Sequence, residues 1–213
     1  MASASKAGRP GATRTGDRVM RARRFWAELK SSEFAALDPG TTLAILPVAA
    51  IEQHGPHLPV MTDTAIAEGM IETVLARLPN ELRVRRNMLV ATTQWRRLGL
   101  PTGLYGDFDT RHGIHAGDIE TSLMLHFRPD LVDMGKAKLF PSKAADMERD
   151  YKHLRPAGQH GFGWIAQDLN AEGALGDAAA ATAEKGRLTA EHQADAFIAL
   201  LRDVARFPLD QLA

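Results

Sequence analysis

The 213-residue chain contains no cysteine. Disulfides, thiol nucleophiles and thiolate-bound clusters are therefore excluded. Any metal must be held by His, Asp or Glu, a donor set that favours zinc, manganese or iron. Net charge is lacking too, because 26 Lys and Arg balance 26 Asp and Glu. That balance gives no support for a nucleic-acid or membrane-surface role. No apolar run approaches the length of a membrane span. The first 24 residues are basic and rich in small side chains, with no apolar stretch of the secretory kind. They read as a disordered leader, and the protein as cytoplasmic. Hydrophobic residues make up 45% of the sequence, enough for one α/β domain over residues 25–213.

What is present is an apolar run at 43–51 that ends abruptly in polar residues. Its length and β-branched content predict a buried strand. Glu52, His54, His57 and Asp63 follow, broken by Gly55, Pro56 and Pro59. In open α/β sheets, ligands bind just past the carboxyl ends of strands. Glu52-x-His54 places two donor types at i and i+2, which share one face of an extended backbone. Asp63 lies beyond a loop that can fold back towards them. Glu, His and Asp together suit a hard-to-borderline divalent cation. The competing reading is a polar loop with solvated acids and a turn histidine, which is the commoner fate of an isolated Glu-x-His.

Around this stretch the pattern is strand–helix–strand, which argues for a parallel α/β unit. One or two short helices are expected before the first strand, with a turn at Asp38-Pro39-Gly40. Thr62 or Asp63 could cap a helix whose face is Ile66, Met70, Val74 and Leu78. A second strand is expected over 82–93. Residues 96–117 read as loop, and 135–165 as irregular. A second polar cluster, His112, His115, Asp118, Glu120, Thr121 and Ser122, leads into a helix bearing Ile119, Leu123, Met124 and Phe127. Thr189 could cap a last helix that buries Phe197, Leu200, Leu201 and Val204.

The string Glu52-Gln-His-Gly-Pro-His-Leu-Pro-x-x-Thr-Asp63 resembles the opening metal motif of the creatininase family of amidohydrolases. Gly113-Ile-His-Ala-Gly-Asp-Ile-Glu-Thr-Ser is similar to that family's His-Ala-Gly-x-x-Glu-Thr-Ser motif. Gly163-Trp-Ile-Ala-Gln-Asp-Leu, Gly176-Asp and Ala183-Glu-Lys-Gly add weaker likeness. The resemblance implies a three-layer α/β/α sandwich with a mostly parallel sheet. It implies a metal-dependent hydrolase that cleaves a C–N bond of a small cyclic amide or formamide through a metal-activated water. Glu52, His54, Asp63 and Glu120 would be metal ligands, with Asp63 bridging two zinc, manganese or iron ions. His115 would transfer a proton or steady the oxyanion. Trp95 falls where relatives often carry an aromatic residue beside the substrate, although an ordinary core aromatic is an equal reading. Family members often form oligomers, so a homo-oligomer is expected.

The sequence also departs from the family pattern. Relatives carry a Glu-His followed by Gly-Thr, then Asn-Gly-His-Gly-Gly-Asn, whose His binds metal. Neither motif occurs here, and Leu78-Pro79 runs directly into Asn80-Glu-Leu-Arg-Val. A central strand and one ligand are therefore expected to be missing. The alternative to an active enzyme is a shortened, catalytically impaired homologue with a structural or assembly role. His57 reads as structural, Asp118 as a solvated charge at a helix start, His112 as a surface residue and His126 as a packed histidine.

Overall fold

Three helices, Thr62–Arg77, Asp118–Phe127 and Ala183–Arg206, form the framework of the structure, a computed structural model that describes residues 29–37, 44–77 and 91–208. In chain order the helices are α1 (Ser31–Ala35), α2 (Thr62–Arg77), α3 (Asp107–His112), α4 (Asp118–Phe127), α5 (Lys143–Asp150), α6 (Ala166–Leu169) and α7 (Ala183–Arg206). Two short antiparallel strands, β1 (Leu139–Phe140) and β2 (Gly176–Asp177), pair Leu139 with Asp177 and Phe140 with Gly176. The leader, the Asp38-Pro39-Gly40 turn, Leu78 and residues 82–90 of the second expected strand lie outside the described residues.

The helical faces follow from apolar spacing. On α2, Ile66, Met70 and Val74 recur every four residues and are buried. Ile66 and Met70 share a core with Leu123 and Met124 of α4, and Val74 packs with Ala194 and Ile198 near the chain's end. On α7 the buried stripe is Gly186, Ala190, Ala194, Ile198 and Leu201. Leu201 is buried as expected, but Phe197, Leu200 and Val204 are only half-buried. Small residues on α7 let it approach α4 closely. A Cβ on Gly186 would lie 1.9 Å from the Ser122 carbonyl oxygen and 2.9 Å from His126 Cβ.

Several local expectations are corrected. Residues 44–51 form no strand among the described residues. Leu46, Val48 and Ile51 are 86%, 85% and 66% exposed. An extended apolar segment is buried only where neighbouring strands cover it, and no described strand pairs with it. The expected loop at 96–117 contains a 3-10 turn at Trp95–Leu98 and α3. The irregular stretch holds α5, capped by Ser142, whose Oγ accepts the Ala144 N–H at 3.2 Å. Thr182, not Thr189, caps α7 by accepting the Lys185 N–H at 3.2 Å. Thr189 is buried inside that helix, bonded to the Tyr105 hydroxyl at 2.7 Å.

Asp118 is also corrected, because it is buried rather than solvated. Its carboxylate accepts from Lys185 Nζ at 2.6 Å and from Ser122 Oγ at 3.0 Å. This pair ties the start of α4 to α7. Asp109 does the same for the loop before it. Its buried carboxylate accepts the Asp118 N–H at 3.0 Å and the Asp177 N–H at 3.1 Å.

Gly186→Ala measures the α4–α7 approach. The helix-propensity gain of about 1 kcal/mol is outweighed by overpacking against fixed backbone, which costs about 2–3 kcal/mol or more. A lower urea midpoint with an unchanged slope is the expected result.

Candidate metal centre

The second polar stretch and the first meet in space. Residues after Glu52 turn back as a tight loop in which His54 and Leu58 form an antiparallel bridge and the Glu52 N–H donates to the Val60 carbonyl at 3.0 Å. Gly55 makes that turn at φ +71°, where a Cβ would stand 2.7 Å from Ala174 Cβ. The loop delivers the chain to α2, so Asp63 falls in the first turn of that helix. Glu120 falls in the first turn of α4. Both carboxylates thus sit at the positive ends of helix dipoles, which stabilise their charge.

His54 is the centre of the arrangement. It is 1% exposed. Its Nδ1 stands 3.0 Å from the Glu52 carbonyl oxygen, so that nitrogen carries the proton and donates. Nε2 is then the free nitrogen, and it has no hydrogen-bond partner. It faces Asp63 Oδ1 at 3.3 Å and Glu120 Oε2 at 3.8 Å. A buried nitrogen lone pair between two carboxylates requires either a proton or a cation. Ligand atoms bound to one zinc at about 2.0–2.2 Å lie on the order of 3–3.5 Å apart. The donor set and the orphaned nitrogen both fit a divalent cation.

His115 lies alongside, with its ring centroid 4.3 Å from that of His54. Its Nε2 donates to the Gln53 carbonyl at 2.6 Å, which leaves Nδ1 free. Nδ1 faces Glu52 Oε1 at 3.9 Å. Two groups of candidate ligands therefore overlap at His54, namely Glu52–His54–His115 and His54–Asp63–Glu120. Within each, the donor atoms all lie within 4.8 Å of one another.

The backbone beneath the cluster is strained. Ala116 adopts φ +55°, rare for a residue with a Cβ. Its N–H donates to Glu120 Oε2 at 2.6 Å and so fixes that carboxylate. Leu175 N–H donates to the His115 carbonyl at 2.7 Å on the other side.

His57 lies outside both ligand groups. It is buried, stacked on Phe140 at 5.3 Å, and bonded through Nε2 to Thr121 Oγ1 at 3.0 Å. Burial and the nearby His54 charge lower its pKa to about 4, against weaker opposing contributions from the Ala116 backbone and Asp133, so it stays neutral. His112 is half-buried rather than on the loop surface. It pairs with Glu148 at 3.1 Å in an open cleft of about 250 Å³ that Arg111 and Arg155 also line. His126 packs on Phe127 at 4.9 Å. Trp95 packs edge-on against Phe197 at 5.3 Å, within the apolar core between α2 and α7. The aromatic ring that meets His115 is Trp164, at 6.5 Å and nearly perpendicular. Trp164 is held by its indole N–H, which donates to the Pro156 carbonyl at 2.7 Å. The sequence signal was its place in the Gly163-Trp-Ile-Ala-Gln-Asp motif. Gln53, also unassigned from sequence, bonds to the Glu172 carbonyl at 3.2 Å and to Gln167 at 3.3 Å. It fastens the α6 segment over the cluster.

A buried imidazole and two helix-start carboxylates converge here as a candidate site for a divalent cation. The family follows from comparison. The creatininase family model, described as creatinine amidohydrolase, matches residues 27–95 and 76–201, and the chain belongs to that family. The two matched stretches overlap at 76–95. Solved structures agree at the level of fold. A creatininase with manganese matches with TM-score 0.64 and 18% identity over 85% of this chain and 98% of that one. A glutamate-to-glutamine variant of creatininase complexed with creatine matches with the same score, identity and coverage. Among curated proteins, the mycofactocin precursor peptide peptidase of Mycobacterium tuberculosis is 38% identical over 79 residues. That match covers 37% of this chain and 29% of the peptidase, under a third of the relative's length. No described helix is long and apolar enough to cross a membrane.

The electrostatics of His54 yield a pH dependence. Burial opposes the charged ring, but the adjacent carboxylates of Asp63 and Glu120 outweigh it and raise the pKa to about 9. In the metal-free chain this proton contributes stability that is fully present below the unfolded value near 6.5 and is lost as pH rises through about 9. A cation must displace the same proton. Zinc affinity measured by calorimetry should therefore fall by about tenfold per unit as pH is lowered from 9 towards 6.5. A flat affinity over that range would mean that His54 is not a ligand.

Proposed function

We propose that this protein is a metal-dependent amidohydrolase acting on a C–N bond of a small cyclic amide or formamide. The observation that carries the reading is the orphaned Nε2 of His54, aimed between Asp63 and Glu120 beside the free Nδ1 of His115. His54, Asp63 and Glu120 would hold a divalent cation, zinc, manganese or iron, with Glu52 at its edge. Creatininase structures with manganese and in a two-zinc form support the choice of ions. When bound, the ion would polarise an amide carbonyl and lower the pKa of a water.

The remaining chemistry belongs to the chain. His115 is pinned by the Gln53 carbonyl with its proton on Nε2, so Nδ1 can take a proton and return it to the departing nitrogen. Its tautomer is set before substrate arrives, which removes one reorganisation from the reaction. Trp164 forms the wall beside His115. Because its N–H is already bonded, it offers a planar substrate only a ring surface. Residues 163–173 are fastened beside His115 through Gln53.

Purified protein loaded with zinc or manganese should hydrolyse creatinine, an N-formyl amine or a short peptide amide, the last included because of the peptidase relative. Asp63→Asn should lose turnover and bound metal together. Full turnover by the Asp63→Asn protein would remove this site from the reaction.

A second reading is favoured by one observation, the exposed apolar run of Leu46, Val48, Ile51 and Val60. Contiguous exposed apolar side chains mark interaction surfaces. A shortened homologue with an assembly role would use them against another chain. The same surface suits a cytoplasmic homo-oligomer of an active enzyme. Light scattering should give a mass above that of one chain, and Leu46→Lys with Val48→Glu should reduce it to the monomer. A monomeric wild-type protein would count against both uses of the surface.

A further inference from the structure

Resting on the metal-dependent reading above, we infer that this chain holds one divalent cation, at His54, Asp63 and Glu120, and that Glu52 stays off the ion, paired with His115. The argument begins with nitrogen atoms. The two overlapping ligand groups share His54, which has a single free nitrogen. One imidazole nitrogen serves one cation. The group containing Asp63 and Glu120 supplies two carboxylates to that nitrogen, at 3.3 and 3.8 Å. The group containing Glu52 supplies one. An ion therefore settles in the first group, where the opposing charge is greater.

A second ion would have to be built from what remains. The chain has eight histidines and no cysteine, and every histidine lies among the described residues. His57 is bonded to Thr121 through Nε2, and its unpartnered Nδ1 belongs to neither ligand group; His112 is paired with Glu148, His126 packs on Phe127, and His153 and His160 face each other. His192 is exposed on α7. Only His115 is left beside Glu52. These two groups, one of them a half-exposed carboxylate, are a lean set for a second cation even if Asp63 lends it its other oxygen. At 3.9 Å, Glu52 Oε1 and His115 Nδ1 are too far apart for a direct hydrogen bond and close enough to share a water. Glu52 is then a proton-handling partner of His115 beside the ion, a different use from the ligand role that its motif implies.

Metal content separates the alternatives. Full-length protein is incubated with excess zinc or, separately, manganese, desalted, and measured by elemental analysis. Wild type should carry about one ion per chain. Glu52→Gln and His115→Ala should each keep about one ion while losing turnover at least a hundredfold, the scale of a missing general base. Glu120→Gln should carry none, with an unchanged far-ultraviolet spectrum. Glu52→Ala repeats the measurement without the amide's own donor capacity. Two ions per wild-type chain, or loss of the ion from both Glu52 variants, would overturn the inference and leave the hydrolase reading standing. A wild type that binds no ion would overturn the hydrolase reading itself.

Discussion

A buried imidazole with no hydrogen-bond partner for one nitrogen is the constraint around which the described structure is arranged. An unsatisfied buried polar atom costs about 1–3 kcal/mol. His54 bears that cost, and the fold meets it with two negative charges rather than with a neutral donor. Each charge is delivered by the first turn of a helix, Asp63 by α2 and Glu120 by α4. The relative placement of those two helices thus determines whether the three side chains meet. The same placement buries Met70 against Met124 and so couples core packing to the site.

Support for the second carboxylate comes from a compact polar network behind it. Asp109 gathers the N–H groups of Asp118 and Asp177, while Asp118 pairs with Lys185 of α7. Burial raises the Asp109 pKa, and the two N–H groups act in the opposite sense. The glycines around it have a steric reason. A Cβ on Gly113 or Gly176 would fall 2.4 Å from Asp109 Oδ1, and one on Gly117 would fall 2.7 Å from it. Between these fixed points Ala116 is forced into the left-handed region, which aims its N–H at Glu120. Local strain there is maintained by the buried pairs on both sides.

Local periodicity made much of this legible. The four-residue spacing of Ile66, Met70 and Val74 reported one face of α2, and Leu123 with Met124 reported α4, because such spacing depends only on helix geometry. Glu52-x-His54 and the later His115 and Glu120 were recognisable as donor types at useful intervals. Their meeting in space was not readable from either stretch alone. Asp118 looked solvated because its partner, Lys185, lies 67 residues away. Trp95 and Trp164 could not be ranked, since only packing distinguishes a ring against Phe197 from a ring against His115.

The apolar run after residue 43 marks the limit of that legibility. Its composition has the character of a buried strand, yet burial depends on neighbours supplied from elsewhere in the chain or from another chain, and Leu46 and Val48 lie exposed. The amino-acid order by itself determined the donor types, the helical faces and the lack of any thiol. Tertiary structure alone decided which nitrogen of His54 is free, which carboxylates face it, and that Glu52 lies nearer to His115 than a motif could tell. The reason is that spacing along a chain sets which side chains share a face, while the partner of a buried polar atom depends on contacts between elements distant in sequence.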